Sequence, residues 1–203
     1  MLMNRIIPCS FILLSFGLSV CAEVRLPSFF SDRMVLQQQT SNAIWGWADS
    51  GELVKVKSSW GVSASVEADA NGKWKIFLKT PGHGTGQSLT ISGSNTIQIK
   101  DVAIGEVWLC VGQSNMGWSV ANSFEAEGES KVNLPHLRIY RSAREHWHEP
   151  LQENRDRLSH WKRCDPKSAA ETSAVAYYFG KKLHEELKIP VGIIQRAYAG
   201  TPI

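Results

Sequence analysis

The chain has 203 residues, of which 43% are hydrophobic, 9% aromatic and 20% charged, a balance that excludes disorder as its main state and fits one or two packed domains. Lys plus Arg number 22 against 19 Asp plus Glu, a net charge of +3, too small a basic excess to make nucleic acid a partner. Four cysteines, none in a CxxC pair, exclude a disulfide-built scaffold and a zinc or thioredoxin-like site.

The first element is an export signal. Arg5 precedes the apolar run from Ile6 to Val20, and Val20-Cys21-Ala22 supplies the processing positions, so residues 1–22 read as a secretory signal peptide cleaved after Ala22. The run is short for a membrane span, which needs roughly 20 apolar residues. No second run follows, and the mature chain is expected to be secreted or periplasmic with no stable span. An uncleaved anchor and a lipoprotein site at Cys21 are the weaker readings. Cleavage leaves Cys110 and Cys164; export permits them to pair, although a free thiol is the more ordinary reading for Cys110 in its apolar strand.

From Val24 to about Asp101 the sequence alternates. Ala43 to Trp47, Leu53 to Lys57 and Lys73 to Lys79 each place every second side chain on one face, the period of half-buried strands. Ser50-Gly51 and Asn71-Gly72 are turn pairs, and Pro81 to Gly84 marks a longer loop. The expected architecture is a small antiparallel β-sandwich over residues 23–101. Tryptophans 45, 47, 60 and 74 serve either core packing, the more ordinary role, or a sugar-stacking platform.

After Asp101 the rhythm changes. Val102 to Val111 is a nearly continuous apolar run that leads straight into Gly112-Gln113-Ser114-Asn115-Met116, the pattern of a buried parallel strand. Residues 122–167 read as polar loops with one short strand near Leu137 to Tyr140. Thr172 or Ser173 caps a helix with Val175, Phe179, Leu183 and Leu187 on one stripe, and Lys188-Ile189-Pro190 ends it before a strand from Val191 to Ile194. This is an α/β arrangement, in which function is expected where the carboxyl ends of the strands meet loops. Ser114 and Ala199-Gly200-Thr201 both fall at such ends.

Ser114 is the best nucleophile candidate, because a strand ending in Gly-x-Ser lets a tight turn lift the hydroxyl out of the sheet. An ordinary turn is the alternative, since Met116 stands where the GxSxG elbow has its second glycine. The whole block from Gly105 to Met116 closely resembles the nucleophile block of the sialate O-acetylesterase family, a branch of the SGNH (GDSL-like) hydrolases. Leu26-Pro27, the stretch Ser31 to Gln37, Trp161 with Cys164-Asp165-Pro166, Ser173 to Gly180 and Pro190 to Ile194 resemble further blocks of that family, in the same order. The resemblance implies a serine-dependent acetylesterase that removes O-acetyl groups from sugars or glycans without metal or cofactor. It implies an α/β chain in which the small antiparallel β-sandwich is followed, over residues 102–203, by the first part of an SGNH-type three-layer α/β/α hydrolase domain. Ser114 would be the nucleophile, the backbone N–H groups of Ser114 and Gly200 would line the oxyanion hole, and Gln113 and Asn115 would support them.

The chain departs from the family pattern at Ala199, where a glycine is usual, and at Gly117, where the family often has an acidic residue. The family's Asp-x-x-His pair, which activates the serine, has no counterpart here. No aspartate has a histidine three positions on, and Asp156 with His160 is spaced for one helical face but reads as solvated loop. The expectation is therefore an esterase truncated before its Asp/His pair, with a catalytically inactive fragment or glycan-binding homologue as the alternative reading. A sheet cut at that point exposes an apolar edge, and association or disorder is expected after about residue 102.

Overall fold

The computed structural model describes residues 23–124, 126–129, 131–142, 159–198 and 200. The expected signal peptide and Asp156 lie outside these residues. The strands are Val35–Gln37 (β1), Ser41–Trp47 (β2), Leu53–Ser58 (β3), Ser63–Glu67 (β4), Lys73–Lys79 (β5), Gly84–Ser92 (β6), Thr96–Gly112 (β7), Leu134–Arg141 (β8), Trp161–Cys164 (β9) and Val191–Ala197 (β10). The helices are Ser114–Gly117 (α1), Pro166–Glu171 (α2) and Ala174–Leu187 (α3), with short 3-10 turns at Val120–Asn122 and Ala126–Glu129. The fold is mixed α/β with one large, mostly antiparallel sheet.

That sheet runs in the order β4-β3-β6-β7-β10-β8-β9, with β1 also on β7, and β2 and β5 form a separate two-stranded ribbon. The alternating runs form strands where the period of two predicts them. In β5, Trp74, Ile76 and Leu78 face inward while Lys73, Lys75 and Lys79 face solvent. Ile44 of β2 joins them, and together they pack against Val54, Val56, Leu89, Ile91 and Ile99 of the large sheet. Gly72 takes φ 70° in the tight turn before β5, a backbone shape that costs glycine little.

β7 is longer than its apolar run predicts. Its first half pairs antiparallel with β6, from Ser92 opposite Thr96 to Gly84 opposite Ile104. Its second half pairs parallel with β10, from Val191 opposite Glu106 to Ala197 opposite Gly112. β8 lies parallel on the far side of β10, and the expected division at 101/102 falls inside this single strand. A second core forms where Ala176 and Tyr177 of α3 pack on Leu137, Ile139, Val191 and Ile193.

An ionic cluster joins the two halves. Arg138 of β8, 1% exposed, donates to the carbonyls of Arg33 and Asp101 and, at 2.9 Å, to the Asp101 carboxylate. Arg163 of β9 donates to the other carboxylate oxygen at 2.7 Å. Burial opposes the charge on Asp101, yet the hydrogen bonds and charges of the two arginines outweigh it and hold its carboxyl below the usual range. Asp101 itself takes φ 55°, a left-handed conformation that Asp and Asn tolerate better than most residues.

Three expectations need correction. The apolar run of β7 is not buried throughout: Val102, Ala103 and Ile104 are, whereas Trp108, Leu109 and Val111 are exposed. The reason is what packs over the strand's faces, since Val102 and Ala103 lie in the core shared with the β2–β5 ribbon. On α3 the predicted stripe is mostly the outer one, with only Leu183 of its four residues packed against the second core. Val175, Phe179 and Leu187 are exposed while Ala176, Tyr177 and Gly180 are buried, because small residues let the helix approach the sheet closely. The span read as loops contains β9 and α2 as well as a strand near 137–140. The helix α2 is fixed by Asp165, which accepts from the Ser168 N–H at 2.7 Å while Ser168 Oγ accepts from the Asp165 N–H at 2.9 Å. This reciprocal cap, with Pro166 at the first helical position, is what the Cys-Asp-Pro landmark builds. The cysteines follow the more ordinary reading: Cys110 and Cys164 are free thiols, and Cys164 is fully buried, its thiol pushed up to about 12 chiefly by that burial.

Candidate active site

Ser114 opens the single turn of helix that follows β7. The strand ends at Gly112, Gln113 turns the chain with φ −100° and ψ −135°, and the Gly117 N–H closes the turn on the Gln113 carbonyl at 2.9 Å. A Cβ at position 112 would come within 2.9 Å of the Met116 Cβ, so this glycine lets the turn fold back over its own strand. Gln113, Ser114 and Asn115 are all exposed. In the first turn of a helix the N–H groups have no intrahelical acceptor, which leaves the Ser114 N–H without a partner inside the helix.

Two devices hold this turn. Met116 packs into the second core, where its sulfur accepts from Ser173 Oγ at 3.2 Å. The same Ser173 oxygen caps α3 by accepting from the Ala176 N–H at 3.3 Å, and the Ser173 N–H donates to the buried Gln195 side chain of β10 at 3.0 Å. The segment after Ser114 is also stitched to the front of α3, with Ala174 N–H donating to the Trp118 carbonyl at 2.8 Å and Val120 N–H to Thr172 at 2.9 Å. The Ser114 turn is therefore fixed by the helix cap that the sequence places at Ser173. Its coupling to Met116 and Gln195 carries no sequence signal, since both contacts cross long stretches of chain.

β10 brings the second predicted block alongside. Ala197 stands opposite Gly112, and the Tyr198 N–H donates to the Gly112 carbonyl at 3.0 Å, so Ser114 and Gly200 leave the same sheet edge on neighbouring strands. Adjacent strands lie about 4.8 Å apart. Gly200 takes φ 78° and is exposed. A Cβ there would meet nothing within 4 Å, so glycine's contribution in this structure is its left-handed turn. Ala199 and Thr201 lie outside the described residues.

Among the described residues, no hydrogen bond reaches the Ser114 hydroxyl. His160 lines a cavity with Arg33, Lys162 and Lys167, and His184 contacts the Ile189 carbonyl at 2.7 Å. Glu129 is a half-buried carboxylate that sequence reasoning missed. It accepts from Tyr177 Oη at 2.5 Å and from Lys181 Nζ at 2.6 Å. Burial works against its charge, but these donors outweigh it and hold the carboxyl below its ordinary range. Both partners sit on α3, Tyr177 on the side away from the predicted stripe. Among the described residues no group of three or more His, Cys, Asp or Glu is placed to hold a metal, and no helix is long and apolar enough to cross a membrane.

No family model matches the chain. Its sequence is 30% identical over 202 residues to the sialate O-acetylesterase of Homo sapiens, covering 88% of this chain and 38% of that protein. Against the sialate O-acetylesterase of Rattus norvegicus it is 29% identical over 198 residues, covering 88% and 36%. Its fold matches the crystal structure of a carbohydrate acetylesterase from Xanthomonas citri with a TM-score of 0.83 and 30% identity, covering 88% of this chain and 41% of that one. The chain thus spans less than two fifths of the curated relatives' length. Over that shared stretch it is homologous to the sialate O-acetylesterase family.

Proposed function

We propose that this chain carries the nucleophile half of an exported carbohydrate esterase that removes O-acetyl groups from sugars. The observation that carries the reading is the placement of Ser114 on a one-turn helix at the carboxyl end of β7, beside the turn that follows β10. In this reading β7, β10 and β8 with α3 belong to a three-layer SGNH-type domain, and residues 1–22 direct the protein out of the cytoplasm.

Ser114 Oγ attacks the acetyl carbonyl carbon, and the carbonyl electron pair moves onto oxygen. The resulting oxyanion accepts from the Ser114 N–H and from the backbone at Gly200, and such donors each stabilise developing charge by roughly 3 kcal/mol. Collapse expels the sugar hydroxyl, which takes the proton that a base removed from Ser114. Water then hydrolyses the acetyl-serine. Gln113 and Asn115 flank the attacking atom on the same turn.

The test is acetate release from an aryl acetate and from an O-acetylated sugar, with Ser114→Ala beside the unaltered protein. Loss of activity by roughly a thousandfold or more supports the assignment, and undiminished release sinks it. A second reading, a homologue that binds glycans without cleaving them, is favoured by the absence of a described base bonded to Ser114. An unaltered protein that folds and binds sugar but releases no acetate decides for it.

A further inference from the structure

A cavity of about 380 Å³ opens where β9 passes into α2 beside the turn that precedes β1, and Arg33, His160, Lys162, Arg163 and Lys167 line it. We propose that it binds a phosphoryl group, as orthophosphate or as a phosphate monoester. The proposal does not rest on catalysis. Asp101, which anchors the cluster, lies eleven residues before Gly112 in β7, up to roughly 35 Å of extended strand from the Ser114 turn.

The fold builds a surplus of positive charge here. Both carboxylate oxygens of Asp101 are engaged, one by Arg138 at 2.9 Å and the other by two N–H groups of Arg163 at 3.2 and 2.7 Å. One negative charge thus serves two guanidinium groups, and a third, that of Arg33, stands close by. Arg138 is held below the ordinary arginine range, first by burial and then by the charges of Arg163 and Arg33, against the pull of Asp101. Lys162 leans on Glu171 at 3.4 Å, with both side chains exposed. Arg33 and Lys167 have no carboxylate within salt-bridge distance among the described residues. With ion-pair partners included, Arg33, Arg138, Lys162, Arg163 and Lys167 meet Asp101, Asp165 and Glu171, an excess of two cations without His160. A phosphate monoester carries about −1.5 to −2 at pH 7, and its several acceptor oxygens suit a guanidinium fork beside an ammonium.

Two details distinguish this wall from a merely solvated face. Arg33 takes φ 69°, a left-handed conformation that strains most residues and suits glycine. It is fixed there from both sides, its N–H donating to the Lys100 carbonyl at 3.0 Å and its carbonyl accepting from buried Arg138 at 3.0 Å. An arginine kept where glycine fits better points to a use for its side chain, and a backbone fixed in advance lowers the cost of binding. The acidic residue of the wall is committed elsewhere. Asp165 accepts from the Ser168 N–H at 2.7 Å to cap α2, and that bond, with the charge of Lys162 adding to it, holds its carboxyl below the ordinary range. Ser168 Oγ in turn donates to the Arg163 carbonyl at 2.7 Å, which locks the corner between β9 and α2.

Orthophosphate and glycerol 3-phosphate are titrated calorimetrically into the full chain, with ionic strength held constant by chloride so that screening is matched. Saturable binding with a Kd of about 1 mM or below is expected. Whichever of the two binds more tightly identifies the source of the group, the free ion or a monoester, and either supports the site. Arg33→Gly fits the left-handed backbone and should leave the melting temperature within about 3 °C, yet weaken binding about tenfold or more. Arg33→Lys, which keeps the charge and loses the fork, should weaken it about threefold, and Lys167→Ala about fivefold. Lys57→Ala removes an equal charge from an exposed position on β3 and is expected to bind like the unaltered protein. Three results overturn the assignment: no saturation by about 20 mM ligand, binding indifferent to Arg33→Gly, or a loss in Lys57→Ala as large as that in Arg33→Gly. Because every readout is binding, failure here leaves the acetate-release test of Ser114 standing, and the converse.

Discussion

The two halves of β7 make an instructive comparison within one strand. From Thr96 to Ile104 it is flanked by β6 on one side and, over Ala103 to Gly105, by β1, and Ile99, Val102, Ala103 and Ile104 are buried. From Glu106 to Gly112 it has β10 alone, and Leu109 is 63% exposed. Both halves carry large apolar side chains, Ile97, Ile99, Val102 and Ile104 in the first and Val107, Trp108, Leu109 and Val111 in the second. Burial here follows what packs over the strand's faces rather than side-chain hydrophobicity alone, since Ile99 and Val102 lie in the core shared with the β2–β5 ribbon, and stability is therefore expected to concentrate in the amino-terminal half.

The strongest way to break this comparison is to cut the ionic seam between the halves. Asp101→Asn keeps the left-handed backbone that residue 101 needs while stripping the charge facing buried Arg138, and it should cost about 3 kcal/mol in denaturant unfolding. A loss under about 1 kcal/mol would mean the carbonyls of Arg33 and Asp101 suffice for that guanidinium. Next comes the core. Leu89→Ala, at a fully buried β6 position, should lower stability by about 2–5 kcal/mol.

The third prediction concerns pH. Glu129 has a folded pKa below its unfolded value of about 4.3, so its contribution is fully present above that value and is lost as pH falls through the folded pKa. Asp101, also lowered, acts in the same direction. Glu129→Gln should remove about 2 kcal/mol at pH 7 and flatten the fall in melting temperature between pH 5 and 3. The smallest effect is expected on the exposed half of β7: Leu109→Lys should change stability by no more than about 0.5 kcal/mol in thermal melts. A large loss there would show that this surface is covered in solution.

Much of the antiparallel region was legible. Lys73 to Lys79 alternates so regularly that strand, face and core membership follow from the period of two, and Ser173 announces the start of α3 by its capping chemistry. The turn at Ser114 was legible for the same kind of reason, since Gly112 and Ser114 mark an abrupt change from apolar strand to polar turn. What failed depended on neighbours. Val175 and Phe179 look like a buried stripe on hydrophobicity alone, but the close approach of Gly180 to Ile193 decides which side of α3 meets the sheet.

The continuity of β7 bears on how the molecule assembles. The β6–β7 hairpin joins residues close in sequence, Ser92 with Thr96 and Ile91 with Ile97, and such contacts close early because little chain entropy is lost. Once formed, the hairpin holds the rest of β7 extended before Val191 arrives to pair with Glu106. A local hairpin thereby becomes the template for a parallel pairing that is otherwise slow to find. Mutations that weaken β6 should delay the arrival of β10, and with it the moment at which Ala197 pairs with Gly112 at the strands' carboxyl ends.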